Sequence, residues 1–165
     1  MLLRRPVLLR RSMLLRRSVI LLGLAIGLLG QGLFAGEVSA QDARQYVNPR
    51  TPSSEGPPFS DAVLVGNTLY LSGFLGVTAG QAPVSAEEEA RAVLNNMRSR
   101  LGQVGMTMDD LVSVQVYALG TGDYAVFNEV YRAFFIQEFP ARAFVGVAAL
   151  VNGARFEVGG IAIRR

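Results

Sequence analysis

The sequence predicts an α+β domain in which two helices cover one face of a mixed β-sheet. Two segments carry apolar residues at spacings of three and four, which is typical of helices that pack on one side. Short apolar or alternating runs before, between and after them are typical of strands. The predicted strands are residues 62–65, 68–72, 111–119, 143–150 and 156–163, and the predicted helices are residues 85–104 and 124–138.

The first two strands form a predicted hairpin. Residues 62–65 and 68–72 are short apolar runs, and the dipeptide Gly66-Asn67 between them is a turn signal.

The first helix begins at a capping signal. Ser85 and Glu88 have the spacing of a capping box, and the acidic residues at 87–89 suit the positive end of a helix dipole. Gly105 supplies a left-handed stop. The predicted buried face consists of Ala90, Val93, Leu94, Met97, Leu101 and Val104.

The second half of the domain has the same kinds of signal. An alternating pattern predicts a half-buried central strand, with Val112, Val114 and Val116 set against Ser113, Gln115 and Tyr117. Asp123 is the predicted N-cap of the second helix, and Pro140 lies beyond its end. We interpret the aromatic stripe on that helix as core packing; it consists of Phe127, Val130, Tyr131, Phe134 and Phe135. Asn152-Gly153 predicts a turn between the last two strands.

A sheet covered on one side leaves its other face exposed. The outward positions of the predicted strands include apolar and small residues as well as polar ones. We therefore expect the domain to associate with copies of itself.

Residues 1–40 are predicted to be an export signal. Three arginine pairs precede an apolar stretch at residues 19–29, and small residues follow as far as Ala40. Because a membrane span needs about 20 apolar residues, cleavage after Ala40 is preferred to an uncleaved anchor. A plain secretory signal is preferred to a twin-arginine signal at Arg16-Arg17, and the translation start is left open between Met1 and Met13. Either export route predicts a periplasmic or secreted protein.

Residues 41–58 are expected to be an irregular arm, because Pro, Ser and Thr dominate after Pro49 and periodicity is weak. The folded domain is then residues 59–165.

Without residues 1–40 the formal net charge changes from +3 to about −2, since ten Arg remain against twelve Asp and Glu. The basic pI therefore gives no argument for nucleic-acid binding, and no membrane partner is expected after signal cleavage.

The absence of three residue types limits the catalytic chemistry open to the protein. The chain contains no His, Cys or Lys, which excludes imidazole bases, thiolate nucleophiles, Schiff-base lysines, soft-metal clusters and disulfides. Arg142 is the only charged residue in the apolar run at residues 139–151. A guanidinium there reaches water, pairs with a carboxylate of a neighbouring subunit, or binds an anionic ligand.

Several motifs occur in a characteristic order: Gly56-Pro57, Gly66-Asn67, Leu71-Ser72-Gly73, Asp123-Tyr124, the segment at residues 127–131, Phe139-Pro140-Ala141-Arg142 and the final segment at residues 156–163. With these motifs, residues 56–165 resemble the Rid (YjgF/YER/UK-type) family of enamine/imine deaminases. The resemblance implies a chorismate-mutase-like fold that assembles as a homotrimer with sites in the clefts between subunits.

The resemblance also implies a reaction. The best-known members of that family hydrolyse reactive 2-imino acids, or their enamine tautomers, to 2-keto acids and ammonia with no metal or organic cofactor. Arg142 matches the family's substrate-binding arginine, and Glu157 matches the glutamate that holds or activates water. Ser72 matches a pocket-lining serine and Asn128 a polar residue of the second helix.

The chain departs from the family pattern around the implied pocket. Phe59 follows Gly-Pro-Pro where Gly-Pro-Tyr is common, Phe74 replaces a common Gln, Phe144 replaces a frequent Cys, and Gly159 replaces a residue that is often acidic. We expect a pocket that keeps its anion anchor between more aromatic walls. Two alternatives to a deaminase stay open: a module that binds a small acid without turnover, and a holdase-like protein-interaction role.

Overall fold

The computed structural model describes residues 43–78 and 85–165. In that part of the chain the strands are β1 (Arg44–Val47), β2 (Ala62–Val65), β3 (Thr68–Leu75), β4 (Leu111–Leu119), β5 (Ala141–Val147) and β6 (Phe156–Ile163), and the helices are α1 (Ala86–Gln103) and α2 (Tyr124–Arg132).

The strands form one mixed sheet in the order β1-β2-β3-β6-β4-β5. Strand β5 runs parallel to β4, and all other neighbours are antiparallel. A parallel pair needs a crossover connection, and α2 supplies it between β4 and β5. The predicted α+β class is confirmed, and β5 lies at one edge of the sheet.

The core lies between the helices and one face of the sheet. Helix α1 packs on β3 and β6 and against α2. Each large apolar side chain buried there contributes about 1.5–3 kcal/mol to folding. The largest fully buried side chains of the core include Leu69, Val114, Val116, Phe156 and Val158 from the sheet and Leu94, Met97, Leu101 and Phe127 from the helices.

Helix α1 begins and ends as its sequence predicts. The Ser85 hydroxyl accepts a hydrogen bond from the backbone NH of Glu88 at 3.1 Å, and Gly105 has a φ of +73°. Its one fully buried charged residue is Glu89. The Glu89 Oε1 accepts the backbone NH groups of Arg155 and Phe156 at 2.5 and 3.1 Å, which ties α1 to the start of β6.

The N-terminal arm contains a strand that the sequence pattern does not predict. Residues 41–58 were expected to be irregular, but Arg44–Val47 pairs with the free edge of β2 and buries Val47. The carboxylate of Asp61 holds this segment by accepting hydrogen bonds from Asn48 and from Arg100, at 2.7 and 2.6 Å. Burial alone raises the pKa of Asp61, but these two donors bring it below its ordinary value.

Strand β4 departs from simple alternation at its start. Val112 was expected to share the buried face of Val114 and Val116, but it is exposed. The pairing of β4 with β6 shifts register between Leu111 and Ser113, and this irregularity turns Val112 outward.

Helix α2 is shorter than predicted and its cap is weaker. It ends at Arg132 rather than near residue 138, because the backbone NH groups of Ile136 and Gln137 donate to Asp109 Oδ1 instead of continuing the helix. Asp123 occupies the N-cap position, but its side chain makes no capping hydrogen bond.

The connection from β5 to β6 contains the predicted turn. Asn152 and Gly153 have φ values of +57° and +70°. The two strands are nevertheless not neighbours, because β4 lies between them in the sheet.

The sheet face turned away from the helices is apolar in part. Tyr70, Tyr117, Val145 and Ile163 are each 39–51% exposed on it. Self-association through this face stays a prediction. Within the described residues, no helix is long and apolar enough to cross a membrane. The predicted signal at residues 1–40 lies outside the described residues.

Candidate functional site

Arg142 is the second residue of the edge strand β5. It is paired in register with the buried Val114 of β4, so its side chain lies on the helix-covered face of the sheet. Alternation places Phe144 on the same face, opposite Val116. Because β5 is the last strand, this face opens beside α2 instead of closing under α1, and Arg142 stays partly exposed.

The Arg142 guanidinium is positioned by one amide and three aromatic rings. Its Nη2 donates to Asn128 Oδ1 at 2.6 Å. The guanidinium carbon lies 4.5 Å from the centre of the Tyr131 ring, and 5.9 and 6.0 Å from the centres of Phe127 and Phe144. All of these contacts fall within the range of cation–π attraction, and Tyr131 is the nearest ring.

No carboxylate neutralises Arg142 within residues 43–78 and 85–165. The ion pairs found there use Arg91, Arg100, Arg155 and Arg165. An amide oxygen and aromatic faces orient a guanidinium but leave its full charge and most of its donors available. Arg142 therefore retains the capacity for a two-pronged hydrogen bond to a carboxylate.

A cleft of about 280 Å³ opens over this guanidinium. That volume lies at the small end for ligand pockets and suits a molecule of a few heavy atoms. The walls contain two arginines, three aromatic rings and no acidic residue; they are Tyr124, Asn128, Tyr131, Arg132, Phe139, Pro140 and Arg142.

Tyr131 forms the floor beside Arg142 and is almost fully buried, at 4% exposure. Burial raises its pKa to about 12, and the nearby charge of Arg142 offsets only part of that rise. Its hydroxyl has no hydrogen-bond partner among the described residues. The phenol is therefore neutral at physiological pH and does not compete for the charge of Arg142.

The structure brings three of the predicted site residues together. Arg142 contacts both Asn128 and Phe144, as described above, and Phe144 also packs edge-on against Tyr124 with ring centres 5.0 Å apart. These residues come from β5 and α2, the two elements that the parallel crossover places side by side.

Three other predicted site residues lie at the far side of the sheet. Ser72 is on β3, where its hydroxyl donates to the backbone oxygen of Ser60 at 2.7 Å. The exposed Phe59 lies in the same region, directly before Ser60. Phe74 was expected to line the pocket but packs in the hydrophobic core at 8% exposure, because a β3 irregularity between Leu71 and Phe74 turns its side chain toward the helices.

Glu157 is not beside Arg142 within one chain. It lies on β6, in register with the exposed Tyr117, whereas Arg142 aligns with the buried Val114. The two side chains are therefore on opposite faces of the sheet, with β4 between their strands. The Glu157 carboxylate lies so close to Gly73 that a β-carbon there would collide with it.

Five cleft residues are not among the predicted site residues; they are Tyr124, Tyr131, Arg132, Phe139 and Pro140. A usable signal was present, since Tyr124, Asn128 and Arg132 recur at intervals of four and so share one helix face. The aromatic members were interpreted as core because helical spacing is the same for a core face and a cleft wall. Tyr131 belongs to both, since it is buried and also lines the cleft.

The described residues contain no group of three or more His, Cys, Asp or Glu side chains that could hold a metal ion. The cleft itself offers guanidinium, amide, phenol and phenyl groups. Such groups have the chemistry to bind and orient an organic anion. Fold and cleft together define a class of small α+β domain with an arginine exposed in a small cleft at the sheet edge.

Comparison with known proteins gives the family. Residues 50–164 match the family model described as Endoribonuclease L-PSP. The chain belongs to this family, which includes the YjgF and RidA proteins. A Bos taurus protein named 2-iminobutanoate/2-iminopropanoate deaminase is 38% identical over 118 residues, covering 70% of this chain and 85% of the relative. The Escherichia coli deaminase of the same name is 33% identical over 128 residues, covering 74% and 99%.

Solved structures agree with this assignment. RidA from an Antarctic Psychrobacter is 34% identical, with a TM-score of 0.62 over 67% of this chain and 91% of its own. Escherichia coli TdcF with bound serine is 28% identical, with a TM-score of 0.65 over 73% and 99%. The Rid fold predicted from the motifs is confirmed.

Proposed function

We propose that the protein hydrolyses 2-imino acids, or their enamine tautomers, to 2-keto acids and ammonia, with Arg142 binding the substrate carboxylate. One observation carries the proposal. The Arg142 guanidinium faces a small cleft, where Asn128 and aromatic rings hold it. It has no carboxylate partner among the described residues. A planar carboxylate of a small acid completes that arrangement.

Two of the relatives support the choice of substrate. The Bos taurus and Escherichia coli proteins carry the name 2-iminobutanoate/2-iminopropanoate deaminase, which describes short imino acids with one carboxylate. The TdcF structure holds serine, an amino acid with the same carboxylate beside a nitrogen-bearing carbon. A cleft of about 280 Å³ accommodates molecules of this size.

The reaction needs little chemistry from the protein. Water adds to the imine carbon, the resulting carbinolamine loses ammonia, and a ketone remains, so imino acid and water give keto acid and ammonia. Arg142 fixes the carboxylate and thereby the adjacent imine carbon, and its positive charge favours attack at that carbon. A carboxylate that accepts a hydrogen bond from the attacking water completes the site, and we assign this role to Glu157.

This assignment requires a second copy of the chain, because Glu157 and Arg142 lie on opposite faces of the sheet within one copy. Phe59, Ser72 and Glu157 lie toward the β2-β3-β6 half of the sheet, whereas Arg142 lies at the β5 edge. A head-to-tail contact between two different surfaces forms a closed ring when the rotation between neighbouring copies closes, and a rotation of one third of a turn gives a trimer. We propose a homotrimer in which each interface joins the Arg142 edge of one copy to the Glu157 half of the next.

The exposed sheet face favours such an assembly. It presents Tyr70, Tyr117, Val145 and Ile163 to solvent in the single chain. Exposed apolar side chains on one sheet face are typical of a protein–protein interface. We also propose that residues 1–40 are a cleaved export signal and that the protein is located in the periplasm or the extracellular space. N-terminal sequencing of the protein recovered from cells tests cleavage after Ala40.

The test of activity is a deaminase assay with imino acids generated in situ by an amino-acid oxidase. We expect wild-type protein to accelerate release of 2-keto acid and ammonia above the spontaneous rate, and Arg142→Ala to lose at least about 100-fold in kcat/KM. Arg98→Ala is the matched control, because Arg98 is exposed and lies 5.3 Å over Phe134 but outside the cleft. Full activity in Arg142→Ala contradicts the mechanism.

A second candidate function rests on the same geometry. The residues to which we assign anion binding lie together within one chain, whereas Glu157, to which we assign the water, does not lie beside them. A module that binds a small acid without turnover needs only the anion-binding residues. Binding of a keto acid that depends on Arg142, with no acceleration of imine hydrolysis, identifies that function. A holdase-like activity that survives Arg142→Ala identifies the third alternative.

A further inference from the structure

The cleft holds a second cation, Arg132, for which the reaction proposed above has no use. Arg132 is the last residue of α2, and it lines the same cleft as Arg142. Its guanidinium carbon lies 5.9 Å from the centre of the Phe139 ring, which orients it at the cleft wall. Like Arg142, it has no ion-pair partner within residues 43–78 and 85–165.

An aromatic wall joins the two guanidinium groups. Arg142 packs on Tyr131, Tyr131 stacks with Phe139 at 6.2 Å between ring centres, and Arg132 packs on Phe139. Rings beside a charge exclude water and lower the local dielectric, which strengthens any electrostatic interaction made there. With no acidic residue among the cleft walls, the described cleft carries two positive charges and no internal counter-charge.

Among the cleft residues of one chain, a ligand with a single carboxylate leaves one of these two positive charges without an anionic partner. Bound to Arg142, it leaves Arg132 facing the aromatic wall with its donors open to water. A ligand whose far end carries a second carboxylate neutralises both, and gains a charge-assisted hydrogen bond at the second arginine. The same wall suits the short aliphatic chain between the two ends.

We infer that the cleft is selective for 2-imino acids with a second carboxylate at the far end of a short chain, with Arg142 binding the α-carboxylate and Arg132 the distal one. This inference rests on the proposed function for the identity of the reacting group. The same electrostatic preference applies to the corresponding keto acids, because they carry the same two carboxylates. The reaction that supplies such a substrate either oxidises the CH–NH2 group of a dicarboxylic amino acid to C=NH, passing two electrons and two protons to an acceptor, or eliminates water from its β-hydroxy derivative to give the enamine tautomer.

The test is calorimetric binding of two stable keto acids that differ only at the distal end, 2-oxopentanoate and 2-oxopentanedioate. We expect wild-type protein to bind the dicarboxylate roughly 5- to 20-fold more tightly at low salt, and this ratio to fall as ionic strength rises. Arg132→Gln is expected to bring the ratio close to one. Arg98→Gln, which removes an exposed ring-packed arginine outside the cleft, is expected to keep it.

Equal binding of the two acids by wild type overturns the inference, and so does a ratio that survives Arg132→Gln or disappears equally in Arg98→Gln. Absence of binding by either acid overturns it as well. If the protein hydrolyses imines but binds both acids with equal affinity, the proposed function is supported and the inferred selectivity is contradicted. If the protein binds the dicarboxylate selectively but hydrolyses no imine, the selectivity is supported and the proposed function is contradicted. Thermal unfolding of each variant shows whether the fold is retained.

Discussion

The ring beneath Arg142 offers a sharp test of how the anion anchor is held. Replacing Tyr131 with Leu removes the aromatic face that lies 4.5 Å from the guanidinium, while Phe127 and Phe144 remain near 6 Å, at the limit of useful attraction. The lost cation–π contact is worth about 1–2 kcal/mol for a partly desolvated pair. Without this ring the guanidinium must be ordered when the ligand binds, at a cost of up to that energy, so we expect Tyr131→Leu to weaken keto-acid binding by about 5- to 30-fold.

Tyr131→Phe separates the ring from the hydroxyl. It retains the cation–π contact and removes only a buried hydroxyl that has no partner among the described residues. Removing such a group leaves stability unchanged or raises it, because the desolvation penalty disappears. We expect ligand affinity to stay within about twofold of wild type, a change of less than about 0.5 kcal/mol.

The assay combines calorimetric titration with 2-oxopentanoate and urea unfolding of each variant, so that lost binding is distinguished from lost folding. Two results refute the reasoning. One is a folded Tyr131→Leu variant that binds the acid as wild type does. The other is a Tyr131→Phe variant that loses as much affinity as Tyr131→Leu, since the hydroxyl rather than the ring is then essential.

Three further predictions concern other parts of the molecule. Asp61→Asn should lower unfolding free energy at pH 7 by about 1–2 kcal/mol, because Arg100 loses its carboxylate. Since the Asp61 pKa is lower when folded, its contribution is present above about pH 4 and lost on further acidification, so urea midpoints of wild type and variant should converge toward pH 2. Glu89→Ala should cost about 3 kcal/mol or more by leaving two backbone NH groups unpaired, measured by urea unfolding. Gly73→Ala should displace the Glu157 carboxylate and lower kcat in the imine assay more than KM changes.

Each of these three predicted substitutions has a control or an outcome that would contradict it. If the two urea midpoints differ equally at pH 7 and pH 2, the Asp61 carboxylate does not stabilise the fold through its charge. Glu89→Gln keeps an oxygen acceptor and should recover part of the lost stability; a Gln variant as unstable as the Ala variant argues against the acceptor role. For Gly73→Ala, an unchanged kcat means that the position of Glu157 does not affect turnover.

Local signals predicted most of the fold. Helix α1 could be located from its sequence because the Ser85 cap, the acidic first turn and the apolar face all specify the same element. Strand β1 could not, because its residues show little alternation and their pairing depends on the free edge of β2. The end of α2 was missed for a similar reason, since a side chain 27 residues earlier, Asp109, takes the backbone NH groups that would have continued the helix.

The site was only partly predictable for a physical reason. Arg142, Asn128 and Phe144 were identified through motifs and lie together, because one crossover unit carries all three. The wall formed by Tyr131 was interpreted as core, since spacing along a helix does not distinguish a core contact from the lining of an adjacent cleft. The separation of Glu157 from Arg142 depends on strand register, and a shift of one residue moves a side chain to the other face.

A mixing experiment tests most directly whether imine hydrolysis uses Arg142 of one copy and Glu157 of another. Arg142→Ala and Glu157→Gln should each be nearly inactive alone. When the two variants are unfolded together and refolded in equal amounts, random head-to-tail assembly gives both wild-type residues to roughly a quarter of the interfaces, so we predict recovery of roughly a quarter of wild-type activity. If the variants assemble into mixed oligomers and no activity returns, the two residues do not form a shared site, and the account is contradicted.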